Sequence, residues 1–62
     1  MNYYILYLKQ ILNEQDDSRK ADYVFIHSRG ETASEEYERL RRLGLDVSQA
    51  QERAMSLLLF GV

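Results

Sequence analysis

One histidine, a handful of arginines and lysines, and scattered serines hold whatever chemistry these 62 residues can perform. His27 has Glu31 one helical turn further on, a spacing at which a carboxylate could orient an imidazole as a base. Catalysis on that pair also needs a positioned nucleophile or a second acid. No serine or carboxylate is placed by spacing to serve it. A structural zinc site needs four ligands, with cysteine or histidine prominent, and the chain has no cysteine and this single histidine. The pair therefore reads as a surface ion pair, and no enzyme activity, metal, cofactor or small-molecule substrate is expected.

The other chemical candidate is basic. Arg39, Arg41 and Arg42 cluster in "ERLRR", with Arg19 and Lys20 upstream, and such groups can contact phosphates. Beyond them "RRLGLDVSQAQERAM" could be two helices meeting at Gly44, the outline of a helix-turn-helix. Arg39, Arg42, Gln51 and Arg53 would then meet nucleic acid, with Gln51 and Arg53 able to read bases. Against this, Asp46 and Glu52 would face phosphates, and the net charge is −2 with a pI near 5.2. A helix surface accounts for the same residues. Glu35 with Arg39 and Glu38 with Arg42 are acid-first pairs four apart, and Arg41 can stack on Tyr37. DNA binding is therefore the alternative expectation, not the first.

Zero prolines, three glycines and 29% charged residues predict that helices carry these groups. In "YYILYLKQILNE", Tyr4, Leu8, Ile11 and Leu12 form one stripe with Ile5 alongside, and Asn2 can cap it. The polar run "NEQDDS" breaks it. In "SRKADYVFIHSRGETASEEYERLRRLG", Ile26, Gly30, Ala33, Tyr37, Leu40 and Gly44 step by four and three, one face of a long second helix. Gly30 costs about 1 kcal/mol inside a helix, and Thr32 with Glu35 offers a capping box. A kink at Gly30, or a new helix from Thr32, therefore stays open. Gly44 is expected to end the second helix in a left-handed conformation. Asp46 with Gln49 forms a capping box for a third helix, with Leu45 stapling Ala50 and with Val47, Ala50, Ala54, Leu57 and Leu58 inward.

The fold class is thus all-α, one small three-helix bundle over residues 1–62, which a partner chain could complete. Burial of about 60% of the surface contributes roughly 95 kcal/mol, while ordering the chain costs roughly 93 kcal/mol. With no disulfide or metal to help, self-association or docking on a larger protein is the expected source of surplus. The chain's end, "SLLLFGV", points the same way. Met55, Leu59, Phe60 and Val62 fall off the inward face of the third helix, and an all-round apolar helix end belongs inside something. Tyr3, Tyr4 and Tyr7 crowd the first helix, and tyrosine is enriched at protein interfaces. Tyr3, Tyr4, Tyr7, Met55, Leu59 and Phe60 are the predicted interface. The apolar run Tyr3 to Leu8 lacks a basic lead and is too short to span a bilayer, so no membrane partner is expected and the cytoplasm is the default location.

These residues also form a pattern. An aromatic-rich first helix is followed by F-I-x-x-R-small-acidic (Phe25, Ile26, Arg29, Gly30, Glu31) and by an alanine and Y-E (Ala33, Tyr37, Glu38). Gly44 precedes the last helix, which closes on A-M-x-x-L-L (Ala54, Met55, Leu58, Leu59). The pattern resembles the amino-terminal half of a small helical family carried on conjugative transposons of Bacteroides-type bacteria. That resemblance implies a bacterial mobile-element accessory protein with no assigned role, whose typical member continues past Gly61. A second half, or a second copy, would cover the apolar end.

Overall fold

Asn2 starts the first helix by accepting a bond from the Ile5 amide at 2.9 Å. This α1 runs Tyr3–Glu14 and buries Tyr4, Ile5, Leu8 and Leu12, with Ile11 half-buried at the edge of the stripe. The computed structural model describes residues 2–62. A single 3₁₀ turn, Ser18–Ala21, straps α1 to α2 (Tyr23–Arg42), and α3 spans Val47–Leu58. The described residues are thus an all-α bundle in which α1 and α3 both lie along α2 and touch each other least.

The second helix begins at Tyr23, later than the start at Ser18 of the segment that carries its stripe. Asp17 accepts from the Arg19 amide and Asp22 from the Phe25 amide, so two aspartates cap in succession and split Ser18–Ala21 from α2. Past that point α2 is continuous across Gly30. Thr32 opens no new helix; its hydroxyl donates to the Ser28 carbonyl inside α2 at 2.8 Å. Gly30 is there for a neighbour. A Cβ at this position would sit well inside contact distance of Ile5 Cγ1 and 3.0 Å from the Ile5 Cα and N. The backbones of α1 and α2 therefore cross where only a hydrogen fits.

Gly44 adopts φ +101°. Its amide donates to Arg41 O and the Leu45 amide to Leu40 O, both at 3.1 Å, the paired bonds of a Schellman motif. The same motif ends α1, with Asp16 in the left-handed position at φ +50°. There the Asp16 amide donates to Asn13 O and the Asp17 amide to Leu12 O. An L-residue is costly in that conformation, and the exposed ion pair of Asp16 with Lys20 returns little. Asp16→Gly is expected to raise stability by about 0.5–1 kcal/mol, read as a higher denaturant midpoint with an unchanged slope.

Asp46 and Gln49 form the predicted capping box on α3. Ala50, Ala54 and Leu58 are buried against α2, but Val47, expected inward, is exposed. It stands in the first turn of α3, beyond the reach of α1, where nothing covers it. Leu57 and Tyr37 are half-buried and pack on the core.

The folded chain exposes 4178 Å², against about 4,200 Å² for a monomeric protein of this mass. One copy therefore buries as much in total as an ordinary monomer. Its shape is extended, 37 × 17 × 17 Å with a radius of gyration of 11.8 Å, against about 10.6 Å for a compact chain of this length.

Candidate functional site

The end of α3 is tied down within the chain. Helices leave their last carbonyls without partners, and here two arginines supply them. Arg29, on α2, donates from Nη1 to Leu57 O and Leu58 O at 3.2 Å and to Phe60 O at 2.7 Å. Arg19, in the 3₁₀ strap, donates from Nη2 to Gly61 O at 3.2 Å. The Val62 amide donates to Leu59 O, so every carbonyl from Leu57 to Gly61 has a donor. Both guanidinium groups also lie over the Phe25 ring, 5.1 Å and 4.9 Å from its centre, within range for cation–ring attraction. The negative end of the α3 dipole favours both charges. Met55, Leu59 and Val62 pack half-buried on the core. Of the apolar end, Phe60 remains in water, 77% exposed.

Asp17 holds the strap's arginine. Its carboxylate accepts from Arg19 Nε and Nη2 at 2.9 and 2.8 Å. Those side-chain bonds, then the backbone bond from Arg19, hold its pKa down at about 2. The folded state thus favours the ionised carboxylate. That contribution is complete above the ordinary aspartate value of 3.8 and fades as pH falls through about 2. The melting temperature is expected to drop across that acid window, and to drop less steeply in Asp17→Asn.

The predicted interface residues separate into two groups. Tyr4 belongs to the bundle's own core, 6% exposed; its hydroxyl donates to Gln51 Oε1 at 2.6 Å, which lets the ring be buried with its polar tip satisfied. Burial, followed by the neighbouring Tyr37 and Tyr3, pushes the Tyr4 hydroxyl pKa up. Tyr3 faces solvent, edge-on to Tyr4 at 5.5 Å and stacked on the half-buried Tyr7 at 6.0 Å. Leu6, absent from the predicted interface, is 54% exposed on the same helix. It lies three residues after Tyr3 and off the inward stripe, which is the signal that could have identified it. Tyr3, Leu6 and Tyr7 thus make an outward apolar face on α1.

The basic residues are largely engaged internally. Arg39 grips Glu36 through Nε and Nη2 at 2.6 and 3.0 Å, replacing the expected partner Glu35. The Arg39 bonds hold the Glu36 carboxyl below its ordinary range, and Arg53 adds a smaller pull. Arg41 donates to Leu45 O at 2.9 Å rather than stacking on Tyr37. The Glu38–Arg42 pair does not form, nor does one between His27 and Glu31, among the ion pairs of the described residues. Gln51 accepts the Tyr4 hydroxyl. Arg42 and Arg53 are exposed, while Gln51 is half-buried. Among the described residues no cluster of three or more metal-ligating side chains occurs. No helix among them is long and apolar enough to cross a membrane.

No curated protein and no solved structure matches this chain. One family pattern does, across residues 1–62, and its description is a domain of unknown function (DUF1896). It spans all three helices, the Gly30 crossing and both arginines of the clamp. With its whole length matched, the chain belongs to the DUF1896 family.

Proposed function

We propose that this chain is a non-enzymatic helical module that binds protein, a second copy of itself or a larger partner, through the outer face of α1 and through Phe60. The observation that carries this reading is the exposed pair Tyr3 and Leu6, flanked by the half-buried Tyr7 and backed by the fully buried row Leu8 and Leu12 on the other side of the same helix. The inner row fixes the helix, and the ring contacts of Tyr3 with Tyr4 and Tyr7 restrain the outer one. Little side-chain entropy then remains to be lost on docking. The resemblance to a family carried on conjugative transposons supports a role as a mobile-element accessory protein, which neighbouring reading frames would check; the cytoplasm is its proposed location.

Sedimentation equilibrium at micromolar concentration tests the interface. The expected mass rises toward twice 7.3 kDa and returns to a single copy in Leu6→Glu, whose exposed position leaves the helical spectrum unchanged. A single-copy mass throughout, with no adduct from a photocrosslinker placed at position 3 in the producing cell, overturns the proposal.

A further inference from the structure

Arg19 and Arg29 come from different elements, yet they meet on one ring and on one run of carbonyls. Arg19 belongs to the strap between α1 and α2, and Arg29 to the second turn of α2. Both lie over Phe25, and together they hold the carbonyls that end α3. We infer that this arrangement is a latch coupling the 3₁₀ strap to the tail Leu59–Val62, so that the two segments open together while the three helices stay packed.

The physical basis is the poverty of other restraints on either segment. The strap buries no residue and is held by Asp17 and by the backbone bonds of Lys20 and Asp22. Asp17 is itself fixed by Arg19. The tail keeps three backbone bonds, from the Leu59 amide to Met55 O, the Phe60 amide to Leu57 O and the Val62 amide to Leu59 O, and two half-buried apolar side chains. Segments with few buried contacts open at low free-energy cost relative to the core. Freeing Arg19 releases the Gly61 carbonyl, uncovers one side of Phe25 and loosens the cap on the strap in a single step. Opening also uncovers Leu59 and Val62, so the latch decides how much apolar surface the end of α3 presents. This inference is independent of the α1 interface.

Amide hydrogen exchange on the full chain tests it, with the Leu59 and Val62 amides reporting the tail, Lys20 and Asp22 the strap, and Leu8 and Leu12 the core. Arg19→Met is expected to speed exchange at the tail as well as the strap, each by about tenfold, the scale of one lost charged hydrogen bond at a partly exposed site. Arg29→Met is expected to speed the strap as well as the tail. In both, the core amides keep their rates, which also shows that the variant is folded. Acceleration confined to the mutated arginine's own segment overturns the coupling. So does equal acceleration at Leu8 and Leu12, because the segments would then open only with the whole bundle. Arg19→Lys keeps the charge but not the planar fork, and is expected to fall between Arg19→Met and the unaltered chain.

Discussion

Gly30→Ala lowers the unfolding free energy by about 1–2 kcal/mol, and Gly30→Val by about 3 kcal/mol. Two effects oppose each other at this position. Alanine is the better helix former by about 1 kcal/mol, so in an exposed helix the change would stabilise. Here the new methyl meets Ile5 on two fronts, the side-chain Cγ1 and the backbone of α1. Ile5 is 3% exposed and branched at Cβ, so its side chain has few rotamers into which to retreat. The overpacking cost, typically about 1–3 kcal/mol, therefore exceeds the helix gain, and valine adds both methyls and a lower helix propensity. A chain of this length has about 3–9 kcal/mol of total stability, so Gly30→Val approaches loss of the fold. Urea denaturation followed by circular dichroism measures both. The double variant Gly30→Ala with Ile5→Ala is expected to be more stable than the two single losses added together. Simple additivity would show that the helices do not press on each other there.

Leu58→Ala is expected to cost about 2–5 kcal/mol, whereas Phe60→Ala changes stability by no more than about 0.5 kcal/mol. The two residues are close neighbours in "SLLLFGV" and equally apolar on paper. Leu58 is fully buried among Leu8, Leu12 and Ile26 in one cluster, while Phe60 is 77% exposed. The small residues Ala33 and Ala54 in the same cluster offer little mobile side chain to collapse into the space, which favours the upper part of that range. Thermal melts of both variants separate the residue that holds the bundle together from the residue available to another molecule. If Phe60→Ala proved as costly as Leu58→Ala, the end of α3 would be packed in a way that the fold described above does not contain.

Much of this fold can be read along the chain because its signals are local. The Asn2 cap, the Asp46–Gln49 box and the left-handed Gly44 each depend on residues within one turn. The stripe Ile26, Gly30, Ala33, Leu40 keeps phase over fourteen residues, and α2 is continuous accordingly. What could not be read depends on distant pairing. Tyr4 stands on the inward stripe by its spacing, but the acceptor that lets its hydroxyl be buried there, Gln51, is 47 residues away and has no local signal. The arginine clamp joins residues 28 to 42 positions apart, so nothing within the F-I-x-x-R pattern marks the role of Arg29. Its arginine ends a helix other than its own. The strap was missed because Asp17 and Asp22 both act as caps within a run that has no glycine or proline to mark a break. Of the candidate interface, Tyr3 and Phe60 lie in solvent as their spacing suggested, and Leu6, also in solvent, follows from the same spacing on α1.

The 37 × 17 × 17 Å outline has a hydrodynamic consequence. Pairing two such rods flank to flank across α1 doubles the 17 Å width and leaves the length unchanged, giving a plate rounder than either half. Its frictional ratio would fall as the mass doubled, and amide relaxation would become less dependent on bond direction. Joining them tip to tip would instead produce a needle with strongly anisotropic tumbling, so small-angle scattering on one solution distinguishes the two geometries.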